Sequence, residues 1–192
     1  EMSGLAARTG AINLGQGFPD EDGPAEVLEV AREAIANGVN QYPPGRGILD
    51  LRSAISEHQQ RFHGLHLDPE RHVLVTAGAT EALAATILAL IDSPDDEIVV
   101  FEPFYDSYVA CAALAGANLV PVPLRWPDFQ PDLDALAAAV TDRTRLILMN
   151  DPHNPTGAVF SAEARREIVR LAELHDALIV TDEVYEHLVF DE

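Results

Sequence analysis

Apolar residues fall along this chain in two alternating kinds of run. Short apolar runs at residues 72–76, 97–101, 145–149 and 177–181, all but the third rich in β-branched residues, read as buried strands. Longer Ala- and Leu-rich runs at 79–91, 106–115, 133–140 and 162–175 read as helices. Ser161 stands where the last of these needs an N-cap. Residues 118–122 are a further strand, which Pro121 confines to an edge position or a short length. Upstream, Pro24 suits the first turn of a helix that runs to about Asn37 and stops at Gly38. The spacing of Ile48, Leu51, Ile55 and Phe62 predicts an amphipathic helix over 48–62. Between these two helices, residues 39–46 form a loop carrying Tyr42. Residues 1–25 are rich in Gly, Pro and Asp and read as an irregular arm. From residue 72 onward, strand and helix alternate. That order predicts an α/β fold with a mostly parallel sheet flanked by helices.

Composition narrows the function classes. A chain of 192 residues can bury a real core. The formal net charge of −20 argues against a nucleic-acid or anionic-membrane surface. No apolar stretch approaches a membrane span, since 77–91 is interrupted by Thr80 and Glu81. The single Cys111 allows no disulfide within the chain and suits a reducing, cytoplasmic setting. The seven histidines show no metal-ligand spacing with Cys111, and no metal is expected. All twelve basic residues are arginines, so the chain offers no side-chain amine for a Schiff base. It opens on Glu1 and ends on Asp191 and Glu192 in a loop-like stretch, as a piece of a longer protein would.

The candidate chemistry sits just past the predicted strands, where open α/β sheets bind ligands. Gly78-Ala79-Thr80 is a small-residue turn opening a helix, whose free N–H groups suit a phosphate; a plain helix cap is the blander alternative. Tyr105, in Glu102-Pro103-Phe104-Tyr105, could stack on a flat ring or pack in the core. Asp151-Pro152-His153-Asn154-Pro155-Thr156-Gly157 is a rigid turn that would fix the Asn154 side chain, with His153 read as a loop residue and not a catalyst. Asp182 stands at a strand's carboxyl end, where a carboxylate wants a cationic partner such as a pyridinium N–H, or else caps the next helix. Tyr185, three residues on, reaches the same pocket if a helical turn follows.

Six segments in order carry a resemblance. They are Gly15-Gln16-Gly17-Phe18-Pro19-Asp20, Asn40-Gln41-Tyr42, Gly78-Ala79-Thr80, Glu102-Pro103-Phe104-Tyr105, Pro152-His153-Asn154-Pro155-Thr156-Gly157 and Thr181-Asp182-Glu183-Val184-Tyr185. Together they resemble the N-terminal half of class I/II pyridoxal-phosphate aminotransferases of fold type I. Within that family the chain is most similar to the group of kynurenine, methionine and N-succinyldiaminopimelate aminotransferases.

That resemblance implies an arm and part of a small domain over 1–25, and an incomplete cofactor-binding large domain over 26–192. It implies a phosphate held by Ala79 and Thr80, and a pyridine ring stacked on Tyr105 with its nitrogen paired to Asp182. The ring's phenolate oxygen would be bonded by Asn154 and Tyr185. Gly17 and Asn154 would border the substrate carboxylate, and Tyr42 would reach the phosphate of a neighbouring subunit in a homodimer. The expected substrates are an amino acid and a 2-oxo acid. Cis peptide bonds are expected before Pro103 and Pro155. One departure matters: the lysine that carries the cofactor, and the arginine that binds the substrate carboxylate, would both lie beyond Glu192, so the piece alone would be inactive. Three other readings share these residues: a carbon–sulfur β-lyase on the same scaffold, a non-catalytic cofactor-binding domain of a transcription regulator, and an α/β interaction domain without a cofactor.

Overall fold

The computed structural model describes residues 2–15, 17, 19 and 21–190. Gln16, Phe18 and Asp20 of the first resemblance motif lie outside the described residues. The chain forms two compact units, Glu1–Leu51 and Arg52–Glu192.

The first unit contains helix α1 (Met2–Thr9) and helix α2 (Ala25–Ala36). The expectation of a wholly irregular arm over 1–25 is corrected here. Apart from Gly4, its Gly, Pro and Asp content lies downstream of residue 9, and MSGLAART before it is free of prolines and forms two turns of helix. As predicted, α2 begins after Pro24, and the chain leaves it through Gly38 at φ 91°. Neither helix buries a residue, and Val27, Leu28, Val30 and Ile35 remain exposed on α2.

Helix α3 (Leu49–His63) begins at the end of the first unit and lies mostly in the second. The second unit is an α/β layer structure built from α4 (Ala79–Leu90), β1 (Glu97–Glu102), α5 (Ser107–Ala115), β2 (Asn118–Arg125), β3 (Gln130–Pro131), α6 (Leu133–Ala139), β4 (Thr144–Asn150), α7 (Ala162–Leu174) and β5 (Leu178–Asp182). The sheet order is β3-β2-β1-β4-β5. The β1–β2, β1–β4 and β4–β5 pairs are parallel, and only the two-residue β3 runs antiparallel.

Alternation along the central strands divides the core into two layers. Ile98 and Val100 of β1, with Leu146 and Leu148 of β4, pack against Leu83 and Ile87 of α4 and against Tyr108, Cys111 and Ala112 of α5. On the other face, Val99, Phe101 and Ile147 meet Leu136 of α6 and Ala164, Ile168 and Leu171 of α7. Central strands buried on both faces explain why their sequence is a continuous apolar run. Ser161 caps α7 as expected, its hydroxyl accepting from the Ala164 N–H at 3.1 Å.

Two strand expectations need correction. Residues 72–76 form no strand: His72 closes a turn on Asp68, and no neighbouring strand lies alongside 73–76 among the described residues to take up their N–H and C=O groups. The strand at 118–122 is longer than expected, running to Arg125. Pro121 is nevertheless in an edge position: β1 lies on one side of it, while β3 covers only Leu124 and Arg125 on the other.

The chain order fixes where a ligand can sit. From β1 the chain steps to β2 on one side, then returns past β1 to β4 and β5 on the other. Such a reversal opens a crevice at the carboxyl ends of the two strands where the direction changes, here β1 and β4.

Candidate active site

The loops beyond β1, β4 and β5 meet through a short set of hydrogen bonds. Asn150 and Asp182 end neighbouring strands and are register partners. The Asn150 side-chain amide donates to the Asp182 carbonyl at 2.8 Å, and its Oδ1 accepts from the Asn154 N–H at 2.7 Å. One buried asparagine therefore ties the 151–157 turn to the end of β5. Asp151 secures the far side of that turn. Its carboxylate accepts from the Phe160 N–H at 3.1 Å and from Arg165 Nε at 2.8 Å.

His153 is a structural member of the turn. It is buried beside Phe160, with ring centroids 5.9 Å apart. Its Nδ1 lies 2.8 Å from the Thr156 hydroxyl. Burial lowers its pKa below the ordinary histidine value, against the opposing pull of the Phe101 and Pro103 carbonyls and of Asp151. A neutral imidazole thus links the turn to the end of β1, consistent with the loop role read from sequence. The peptide bonds before Pro103 and Pro155 are cis, as expected, and so are those before Pro127 and Pro152.

The carboxylate of Asp182 is half-buried. Its Oδ2 accepts from the Tyr108 hydroxyl at 2.7 Å, and its Oδ1 from the Val184 N–H at 3.3 Å. Tyr108 is 2% exposed, and burial, then the adjacent carboxylate, raises its pKa far above the usual tyrosine value. It is therefore a permanent donor. The Tyr105 ring lies 6.1 Å from the Tyr108 ring in an edge-on contact, with Tyr105 itself 45% exposed. Asn154 and Tyr185 line one cavity of about 240 Å³, together with Pro152, His153, Pro155, Gly157 and Leu188. The Asn154 amide and the Tyr185 hydroxyl make no hydrogen bond among the described residues, so both offer unpaired polar atoms at the cavity wall.

Of the residues singled out in the sequence, Tyr105, Asn154, Asp182 and Tyr185 are thus brought together. Ala79 and Thr80 occupy the exposed first turn of α4, after Gly78 at φ 91° and ψ 167°, and do not line the cavity. Glu81 folds back so that its carboxylate accepts from the Ala77 N–H. Gly17 and Tyr42 are exposed in the first unit, Tyr42 fully so. Sequence reasoning missed Asn150 and Tyr108. A signal existed for each: Asn150 is the polar residue closing an apolar strand, and Tyr108 stands in the first turn of the predicted 106–115 helix, three residues after Tyr105.

Residues 9–192 match the family model for aminotransferase class I and II. The chain belongs to the class I and II aminotransferases. Among these aminotransferases, it is 57% identical to a probable N-succinyldiaminopimelate aminotransferase of Mycobacterium tuberculosis, covering 100% of this chain and 48% of that one. It is 41% identical to the methionine aminotransferase of Escherichia coli, covering 100% of this chain and 50% of the relative. A solved N-succinyldiaminopimelate aminotransferase structure from M. tuberculosis superposes with a TM-score of 0.95 at 56% identity, over 100% of this chain and 50% of that one. The chain therefore spans about half the length of the aminotransferases it matches. The fold is that of the fold type I aminotransferases, and the family's cofactor is pyridoxal phosphate. The relatives' names give no support to the β-lyase, regulator or cofactor-free readings.

These residues fit that cofactor. A carboxylate with a permanent donor behind it suits a pyridinium N–H. Two unpaired polar side chains on one cavity wall suit an oxygen substituent of the same ring.

Proposed function

We propose that the protein containing this chain transfers an amino group between an amino acid and a 2-oxo acid, with pyridoxal phosphate supplying the electron sink for that chemistry. The observation carrying this reading is the joined cluster of Tyr105, Tyr108, Asp182, Asn154 and Tyr185 at the strand ends. Asp182 holds a proton on the ring nitrogen, and Tyr108 fixes the carboxylate that does so. Tyr105 covers one ring face. Asn154 and Tyr185 donate to the ring's phenolate oxygen. The α4 N-terminus at Ala79 and Thr80 receives the phosphate, where free N–H groups and the positive end of the helix dipole favour an anion. Gly17 and Asn154 border the substrate carboxylate.

The same reading makes residues 1–25 an arm and part of a small domain, and 26–192 part of the large one. It places a second copy of the chain against the first, with Tyr42 reaching across to the neighbour's phosphate. The exposed apolar residues of α2 and the fully exposed Tyr42 support a homodimer. A reducing cytoplasm keeps the buried Cys111 a thiol. Identity of 57% to a probable N-succinyldiaminopimelate aminotransferase favours an acylated diamino acid as amino donor.

In the protein that contains this chain, Asp182→Ala is expected to lower transamination at least about a hundredfold while circular dichroism stays unchanged. Near-normal turnover would remove the pyridinium role. Product analysis should find a 2-oxo acid and no released ammonia, with N-succinyl-diaminopimelate preferred over methionine and kynurenine as donor.

A further inference from the structure

A second cluster of polar side chains in the Arg52–Glu192 unit is used by none of the roles above. His58 and His63 stand on the last turns of α3, and Glu186 and His187 on the turn after β5. His58 Nε2 lies 2.9 Å from His187 Nε2. Glu186 Oε1 lies 3.6 Å from each of these nitrogens. The other carboxylate oxygen, Oε2, is held 2.7 Å from His63 Nε2. Phe62 packs against both facing rings, at centroid distances of 4.7 and 4.9 Å.

These distances have a geometric consequence. A triangle with sides of 2.9, 3.6 and 3.6 Å has a circumradius of about 2.0 Å, so an ion about 0.7 Å out of its plane, as at the face of a tetrahedron, lies about 2.1 Å from every corner, which is the length of a Zn–N or Zn–O bond. Two imidazole nitrogens and one carboxylate oxygen thus mark three corners of a tetrahedron of the right size. The set is neutral imidazole plus carboxylate, which suits zinc and its first-row neighbours and not the all-oxygen preference of Mg²⁺. His63 does for this triad what outer partners do at metal sites: its bond to Oε2 turns Oε1 toward the two imidazoles. The side chains of His58, Glu186 and His187 are 32%, 23% and 55% exposed, so an ion can enter and the fourth position faces solvent. The two rings now meet nearly head-on, at a centroid distance of 5.2 Å, and must pivot at their side-chain torsions to aim both lone pairs at the centre. Their exposure permits that rotation.

We propose that His58, Glu186 and His187 form a binding site for a divalent transition-metal ion of the zinc class, with His63 as positioning residue and solvent in the fourth place. The site joins segments 129 residues apart in sequence, which is why no ligand spacing was visible in the chain. A bound ion would clamp α3 to the residue next to Tyr185, and so steady one wall of the candidate active site.

The test uses the cofactor-loaded protein containing this chain, stripped of metal with a chelator and titrated with Zn²⁺ against a chromophoric indicator. One zinc per chain is expected, with dissociation constant in the micromolar range or below. His58→Gln and His187→Gln should each weaken it at least about thirtyfold, and His63→Gln about tenfold to a hundredfold. His66→Gln should change nothing, and excess Mg²⁺ should not compete. Cobalt substitution should give the visible absorption of a tetrahedral site. If a histidine variant loses its fold by circular dichroism, Glu186→Gln replaces it as the test, at nearly the same size. No saturable zinc at one per chain, or uptake unchanged in the folded variants, overturns the site.

Discussion

Tyr108→Phe separates the two contributions of one hydroxyl. The ring is 2% exposed, and phenylalanine fills the same space, so no cavity opens and the packing of α5 on β1 and β4 persists. What disappears is the 2.7 Å bond to Asp182 Oδ2, leaving that carboxylate with only the longer Val184 N–H contact among the described residues. A hydrogen bond to a charged acceptor contributes about 1.5–3 kcal/mol. Because Asp182 is half-buried, water replaces part of the loss, and the lower end applies, about 1.5 kcal/mol. Equilibrium urea unfolding of the cofactor-free protein should show that decrease with an unchanged slope. The second readout is cofactor affinity. A carboxylate no longer held by Tyr108 samples orientations away from the ring nitrogen, so the dissociation constant for pyridoxal phosphate, followed by absorbance, should rise by roughly five- to tenfold. Unfolding energies equal to wild type within about 0.3 kcal/mol, together with unchanged cofactor affinity, would refute the assignment of Tyr108 as the residue that fixes Asp182.

Two further expectations follow from the same geometry. His153 is neutral in the fold with a lowered pKa, so below its ordinary value of 6.5 the unfolded chain binds the extra proton and the folded one does not. Stability should therefore be fully present above about pH 6.5 and fall as pH drops below it, by at most about 1.4 kcal/mol per pH unit from this group; His153→Asn should flatten that part of the pH–stability curve. Gly78 adopts φ 91° and ψ 167°, a region open essentially to glycine alone, although a Cβ there would meet no neighbour within 4 Å. Gly78→Ala should thus cost about 1–3 kcal/mol through backbone strain alone, measured by urea unfolding.

Most of the second unit was legible from sequence because its signals are local. The apolar runs of β1, β4 and β5 and the Ser161 cap each declare themselves within a few residues. Residues 72–76 carry the same strand pattern but have no neighbouring strand among the described residues, and propensity alone does not make a ladder. The site divides in the same way. Asp182, Asn154, Tyr105 and Tyr185 stand in ordered motifs at strand ends and could be named in advance. Tyr108 and Asn150 act through partners 74 and 32 residues away, and nothing in their own surroundings announces those partners. The histidine cluster at 58, 63 and 187 is the extreme case, being a product of folding alone.

The position of β5 at the end of the sheet has a consequence for handling the molecule. Its far rim presents a row of amides and carbonyls with no strand among the described residues to receive them, and Leu178 stands 51% exposed beside it. Such a rim is adhesive toward any extended polypeptide, including another copy of itself. Produced by itself, this chain would be driven toward self-pairing and precipitation, whereas a complementary segment supplied in trans would compete for the same rim and keep it in solution.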